Sequence, residues 1–275
     1  MAERAGFESQ VKRNPHADFA KVESERVAFD KDGKFSYTQR PNMEWTKGSG
    51  ANNDDWKSHT KLEIDPYGPG RQAVDNYKLL ISGIVPRPIG FVSTVSKTGV
   101  ANLAPFSYTM IVNHDPPMFC IGIAGGAGSL KDTCVNVLET GELTINIISE
   151  SFIEAANYTS VDCPPGVSEW DLAGLTPAKS SKVKPAHVAE SAFSIEAKLA
   201  HHHEWTSPAS GKQTGMLLIC EGVNFHVRDD AINEEKNTIK PEVLMPVGRL
   251  GGITYSRTVT GFEILRPNWA SEKSS

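Results

Sequence analysis

The sequence lacks several features that would define common classes of protein. Its four cysteines, Cys120, Cys134, Cys163 and Cys220, are scattered, and no pair has the C-x-x-C spacing of a zinc knuckle or thioredoxin motif. No apolar run approaches the length that spans a bilayer, and the first ten residues contain no apolar signal core. These absences predict a cytoplasmic protein whose cysteines are free thiols.

Signatures of several enzyme classes are also missing. The chain contains no G-x-S-x-G, H-E-x-x-H or EF-hand sequence, so nothing supports a serine hydrolase or a zinc protease. The glycine cluster 122–128 continues as G-S-L-K-D-T. This sequence lacks the Gly-Lys-Ser/Thr of a Walker loop and the third glycine of a dinucleotide fingerprint. We interpret it as a flexible connection between a strand and a helix.

The charge balance is mildly acidic. The chain has 28 Lys and Arg against 33 Asp and Glu, which gives a net charge of −5. This balance argues against nonspecific binding to nucleic acid. An anionic ligand would need local cations, which makes Arg87, Lys131 and Arg249 informative.

Short apolar runs separated by turns dominate the chain from Tyr77 onward. Apolar spacing predicts one helix that starts at Ser129 or Lys131 and ends at Gly141, and a second, short helix over 152–156. Many strands and few helices predict a mainly β barrel or sandwich. The expected strands are Ile89–Val95, Met118–Ile123, Leu143–Ile148, Ala192–Leu199, Gly215–Val227, Gly252–Val259 and Gly261–Leu265.

Residues 1–74 differ from the rest in composition, since they are polar, rich in turn residues and poor in apolar periodicity. Trp45, Trp56 and Tyr67 are bulky groups that disordered tails usually lack. We therefore predict an irregular arm packed on a domain of residues 75–267, followed by a tail over 268–275. A flexible tail for about the first thirty residues is the alternative.

Four short segments between Pro86 and Thr133 carry most of the chemistry. They read P-R-P-I-G-F-V-S-T, N-L-A-P-F-S, D-P-P and K-D-T. They supply hydroxyls, an amide, cations and the N-terminus of the predicted helix, which favours an anion. Each residue alone is an ordinary turn or cap residue. As an ordered set, they predict a site for a phosphate and a flat polar ring.

The order and spacing of these segments resemble the flavin reductase-like family over about Tyr77 to Pro267. The resemblance implies a six-stranded, Greek-key, FMN-binding split β-barrel, and a homodimer with FMN near the subunit interface. It places Ser93 and Thr94 near the flavin edge or ribityl chain, and Asn102, Leu103 and Ala104 along the ring. The phosphate is then held by Ser107, Lys131, Asp132 and Thr133 with help from Arg87, while Arg249 approaches the flavin late in the chain.

The resemblance implies an FMN-dependent oxidoreductase. NAD(P)H would donate hydride to the flavin, and electrons would pass to free flavin, oxygen or an organic substrate. No catalytic side chain is named, because the cofactor carries the hard chemistry. The alternatives are an electron carrier of the flavoredoxin type without a nicotinamide site, and a non-catalytic flavin-binding protein. The long arm and the segments 162–185 and 201–215 depart from the short members of the family.

The histidines allow two interpretations. In His201-His202-His203, neighbours on a strand point to opposite faces, so a partly exposed strand end is favoured over a metal site. His114 and His187 are lone histidines, for which structural roles are commoner than contact with a substrate. Arg249 and Tyr255 fit a ligand site and a subunit interface equally well.

Overall fold

A computed structural model describes residues 11–126, 130–164 and 166–269 of the chain, and its regular structure is mainly β. The strands are β1 (Ser36–Thr38), β2 (Gly90–Val95), β3 (Ala101–Phe106), β4 (Thr109–His114), β5 (Pro117–Ala124), β6 (Glu142–Ile147), β7 (Pro177–Ala178), β8 (His187–Val188), β9 (Phe193–Thr206), β10 (Gln213–Val227), β11 (Val247–Arg249), β12 (Tyr255–Arg257) and β13 (Thr260–Phe262). The α-helices are α1 (Phe19–Ser24), α2 (Ala73–Gly83), α3 (Asp132–Thr140), α4 (Ile153–Tyr158), α5 (Glu169–Ala173) and α6 (Pro241–Leu244).

The central sheet is antiparallel and has the order β3-β2-β6-β9-β10-β5-β4. Its two edge strands, β3 and β4, are consecutive in the chain and are separated only by Ser107 and Tyr108. Gly122 on β5 donates its N–H to the carbonyl of Tyr108 at 2.8 Å, so this linker still follows the β5 side of the sheet. The ladder itself stays open between β3 and β4.

The mainly β split-barrel class is confirmed, but the sheet has seven strands where six were expected. The difference arises at the bend after Phe106, since β3 and β4 counted as one bent strand give six. Gly90 lies at the crossing of β2 and β4, where an added Cβ would stand 2.6 Å from Thr109 Oγ1. The absence of a side chain at this glycine therefore allows the sheet to curl.

Side-chain alternation divides the core between the two faces of the sheet. One face buries Val92, Ile121 and Leu218 together with Cys134 and Val137 of α3. The opposite face buries Phe91 and Leu103 against Trp170 of α5 and Val188 of β8. Helix α3 thus fills the concave side, and α5 covers the other side of β3.

Helix α3 follows the sequence prediction closely. It ends before Gly141, whose φ of 71° is the left-handed conformation that favours glycine at a helix C-terminus. The helix begins at Asp132 with Lys131 as its N-cap. The alternative start at Ser129 lies outside the described residues.

The arm is irregular, as expected, and contacts the C-terminal part of the chain. Strand β1 pairs in parallel with β13, and the Arg257 guanidinium lies 4.2 Å from the centre of the Phe29 ring. However, Trp56 and Tyr67, which argued against a disordered tail, are 63% and 70% exposed and do not pack on the domain. Backbone pairing and other side chains attach the arm instead.

The predicted strand over 252–259 is also wrong in its length. Gly252 has a φ of 61°, which turns the chain, and the strand there is limited to β12 over Tyr255–Arg257, which pairs with β11.

Helix α2 was not predicted from the sequence. Ile81 is its one buried residue, so its apolar pattern is weak. Across the described residues, no helix is long and apolar enough to cross a lipid bilayer.

Candidate functional site

The β2–β3 pair sorts the predicted site residues into two groups. Its register places Thr94 opposite Asn102 at one end and Gly90 opposite Phe106 at the other. These pairs are four residues apart, which corresponds to about 13 Å along a strand. Thr133 of α3 joins the first end through a hydrogen bond, whereas Arg87 and Ser107 lie just beyond the second.

At the first end, buried polar side chains hold α3 against the sheet. Asn102 Nδ2 donates to Thr133 Oγ1 at 2.8 Å, and Asn136 Nδ2 donates to Thr94 Oγ1 at 3.0 Å. All four residues are at most 7% exposed. Thr94, Asn102 and Thr133 therefore bond to one another and position the helix, and Asn136, which was not predicted as a site residue, completes the network.

The same network holds the N-terminus of α3 beside Asn102, at the beginning of β3. Lys131 is the N-cap residue and is exposed, and Asp132 is the first helical residue. A helix N-terminus carries unpaired N–H groups and a partial positive charge, and Lys131 adds a full charge. This arrangement favours a phosphate or another compact anion.

Ser93 and Leu103 face the opposite side of the sheet from Thr94, because neighbours on a strand alternate. Ser93 is 1% exposed, and within the described part of the chain its Oγ has no hydrogen-bond partner. Ser93 therefore lies in the layer that α5 covers, on the face of the sheet opposite the N-terminus of α3, and its predicted contact with the flavin stays a prediction. Leu103 belongs to the core, and Ala104, half-buried, faces the same side as Thr94.

The open edge of β3 is shaped by two residues. The Leu103 N–H points away from β2 and donates to Glu169 Oε2 at 3.0 Å, while Pro105 has no N–H. Burial raises the pKa of Glu169 above its usual range, the hydrogen bond from Leu103 opposes this, and the charge of Asp132 adds to it. Glu169 was missed because this contact joins residues 66 positions apart in the chain.

At the second end, Arg87 holds three chain segments together. Its Nη1 donates to the carbonyls of Ile81 and Ile84, its Nη2 to the carbonyl of Leu250, and its Nε to Ser107 Oγ at 3.4 Å. Burial lowers the pKa of this guanidinium, and nearby Arg249 lowers it further. Most of its donors are taken, so Arg87 fixes the loop that carries Arg249.

Arg249 lies next to Arg87, and the two residues exchange backbone hydrogen bonds of 3.0 and 2.9 Å. Its guanidinium stacks 4.2 Å from the centre of the Tyr255 ring and donates through Nη2 to the Gly252 carbonyl. Within the described residues, its buried Nη1 has no partner. Arg249 therefore retains a donor for a ligand, which Arg87 largely lacks.

The expectation that Arg87 and Ser107 join Lys131, Asp132 and Thr133 around one phosphate is wrong. The length of the β2–β3 pair separates the two groups, and no single phosphate reaches both. The residues instead mark the two ends of an elongated site along β3. One end suits a phosphate, and the other offers Ser107 and Arg249.

The remaining histidines lie away from this site. His201, His202 and His203 are exposed on β9, and no three His, Cys, Asp or Glu side chains in the described residues form a metal site. The His187 ring stacks on the His226 ring at 3.9 Å, and His226 Nε2 lies 2.6 Å from buried Glu196. His114 ends β4 and is exposed.

The fold is a split β-barrel, and the residues along β3 form a candidate site for an anionic ligand. The chain belongs to the family described as the flavin reductase like domain, whose model matches residues 82–246. Membership of this family implies that the protein binds a flavin. The resemblance seen in the sequence is thereby confirmed.

Individual relatives agree with this assignment. The chain is 36% identical to the uncharacterized protein YwrF of Bacillus subtilis over 196 residues, which cover 71% of this chain and 95% of the relative. It is also 36% identical to the solved structure of nitrilotriacetate monooxygenase component B from Bacillus cereus, with a TM-score of 0.70, covering 75% of this chain and all of that one. Flavoredoxin of Desulfovibrio vulgaris, at 21% identity and a TM-score of 0.53 over 69% of this chain and 94% of that one, shares the fold.

Proposed function

We propose that this protein is an FMN-dependent oxidoreductase whose flavin is reduced by NAD(P)H. The observation that carries the proposal is the arrangement at the two ends of edge strand β3. A lysine-capped helix N-terminus lies at one end, and the cationic, aromatic pair Arg249 and Tyr255 lies near the other. An elongated cofactor with a phosphate at one end and a flat polar ring at the other matches this order. Family membership supports flavin as that cofactor.

The residues present fit FMN. Lys131 and the first N–H groups of α3 would hold the phosphate, and the unpartnered Nη1 of Arg249 is available as a donor. FMN is favoured over FAD because a helix N-terminus best stabilises a terminal phosphate with two charges, which FMN has and FAD lacks. Bound FMN would supply the hydride and electron transfer chemistry.

The chain's own residues then position the cofactor and exclude water. The network of Thr94, Asn102, Thr133 and Asn136 fixes the phosphate-binding helix, and Glu169 ties the edge of β3 through Leu103. Arg87 fixes the loop that carries Arg249. Fixed dipoles and donors of this kind need no reorganisation when a ligand binds, which favours affinity.

The absorption spectrum of the purified protein, followed by addition of NADPH or NADH without oxygen, tests this function. We expect a yellow protein whose flavin bands bleach with one of the two nucleotides. A yellow protein that stays oxidised with both nucleotides would contradict reduction by NAD(P)H and favour an electron carrier. A colourless protein that binds no added FMN would refute flavin chemistry.

The acceptor of the electrons is a separate part of the proposal. Likeness to a protein named as component B of a monooxygenase supports transfer of electrons to a second component or to free flavin. Reduction of added free FMN during steady-state NADPH oxidation tests this acceptor. Nucleotide oxidation that requires an organic substrate, with no reduction of free FMN, would contradict it.

We also propose that the protein is a homodimer that pairs through β4. This edge strand exposes Met110, Ile111 and Val112 by 59%, 63% and 53%, and consecutive apolar residues on an exposed edge favour association. The edge follows directly from Ser107, so a partner there would lie close to the ring end of the site. Light scattering of the purified protein should give twice the mass of 29.9 kDa, and a monomeric mass would contradict the dimer.

A further inference from the structure

The arm forms one wall of a cavity of about 630 Å³ that lies outside the site described above. The other walls are the C-terminal half of α2 and the loop over 251–255. This volume is within the range of pockets that hold small organic ligands. None of the sequence motifs discussed above predicted it.

The charged residues that line this cavity all have the same sign. They are Lys12, Arg13, Arg26 and Lys78, with His16 as a fifth basic group, and no Asp or Glu is among the lining residues. In a chain whose net charge is −5, such a grouping concentrates positive potential at one opening. The cavity therefore favours a ligand that carries more than one negative charge.

The apolar part of the cavity favours a ring. Phe19, Tyr77 and Tyr255 line it together with the buried side chain of Ile81. Aromatic walls with cations at the opening suit a flat ligand whose anionic groups remain near solvent.

The cavity adjoins the ring end of the candidate flavin site. Tyr255 lines the cavity and also supports the Arg249 guanidinium at 4.2 Å. Arg87 bonds the carbonyls of Ile81 and Leu250, and so ties both neighbouring walls to the start of β2. A ligand in the cavity would lie beside the end of β3 at which the flavin ring is proposed to bind.

We propose that this arm-covered cavity binds an aromatic ligand with at least two negative charges, beside the ring end of the candidate flavin site. The position of this ligand beside a flavin rests on the proposed function, whereas the anion site does not. Two sources share this chemistry: a nicotinamide nucleotide phosphate and an aromatic dicarboxylate. The arm is therefore part of a ligand site in addition to covering the domain.

Calorimetric titration of the full-length protein with NADP⁺ and with phthalate tests the proposal, because neither probe is turned over. We expect one of them to bind, and the double variant Lys12→Ala/Arg26→Ala to weaken it at least about tenfold, as the loss of two charge contacts implies. The control Lys31→Ala/Lys61→Ala removes the same charge from exposed arm positions outside the cavity and should bind as the wild type does. Thermal unfolding confirms that each variant is folded.

The outcomes separate the two sources and the two proposals. Binding of NADP⁺ alone that is weakened by the cavity variant identifies a nucleotide site, and the same result with phthalate alone identifies a site for aromatic acids. If neither probe binds, or if the cavity and control variants bind equally well, the proposal is overturned. FMN content is measured from the absorption spectrum in the same samples. A colourless protein with an intact anion site would refute the flavin function, but not the anion site.

Discussion

The substitution Thr94→Val tests whether the buried network holds helix α3. Thr94 is fully buried, and its Oγ1 accepts hydrogen bonds from Asn136 Nδ2 at 3.0 Å and from Asn102 Nδ2 at 3.4 Å. Valine has nearly the same shape, so no cavity forms and the change isolates the hydrogen bonds. Asn102 keeps its shorter bond to Thr133, whereas Asn136 loses the bond that positions its amide.

The size of the effect follows from that single unpaired amide. A buried donor left without a partner costs about 1–3 kcal/mol, so we expect the free energy of unfolding to fall by about 2 kcal/mol. For a domain of this size, that loss corresponds to a decrease in Tm of roughly 4–8 °C. FMN should also bind more weakly, since the N-terminus of α3 is no longer fixed against β3.

Urea unfolding of the flavin-free protein measures the stability change, and fluorescence titration measures FMN affinity. Thr140→Val is the matched control, because Thr140 is on the same helix and bonds the Asn136 carbonyl, but it is partly exposed and outside the network. We expect it to cost less than about 1 kcal/mol and to leave FMN affinity unchanged. Equal losses of stability in the two variants would refute the positioning role of the network.

Substitutions at three other residues test separate parts of the structure. Glu169→Ala leaves the Leu103 N–H unpaired and should cost about 1–3 kcal/mol. Because its folded pKa is raised, wild-type stability should fall as pH rises through that pKa, and Glu169→Gln, which keeps an acceptor, should remove this dependence in urea unfolding at several pH values. Burial alone would raise the pKa of Glu196, but hydrogen bonds from Ser181, Asn224 and His226 outweigh it and hold the pKa well below its usual range. Wild-type stability should therefore be lost as pH falls below the ordinary glutamate range, and a Glu196→Gln variant with the same acid profile would contradict this. Ile111→Arg on β4 should halve the mass found by light scattering, and an unchanged dimer would exclude this edge as the interface.

Much of the fold follows from local sequence. Strands β2, β5 and β6 are short, apolar runs bounded by turn residues, and their burial on the sheet agrees with the prediction. Helix α3 was located by its spacing and by Gly141, because a left-handed terminal residue is a strong local requirement. Two strands of the sheet were missed: β3 contains Pro105, which argues against a strand, and the residues Met110 to Val112 of β4 are largely exposed.

The candidate site was less predictable than the fold. Sequence order placed the β2–β3 residues near the start of α3, and the hydrogen bonds to Thr133 and Asn136 agree with this. It did not indicate which of these side chains point into the buried network. Thr94 and Asn102 form hydrogen bonds with residues of α3. Arg87 donates to backbone carbonyls, including that of Leu250, which is distant in the sequence. These assignments depend on contacts between distant segments, and a single sequence carries no local signal for such contacts.

Titration of the flavin-free protein with FMN and with riboflavin, for the wild type and Lys131→Ala, tests the central claim most directly. Riboflavin lacks the phosphate, so the comparison isolates the contact with the N-terminus of α3. We expect Lys131→Ala to weaken FMN about tenfold and to leave riboflavin unchanged, because an exposed charge-assisted contact is at the lower end of its usual range. Equal binding of FMN and riboflavin by the wild type, or no effect of the substitution on FMN, would contradict the phosphate site.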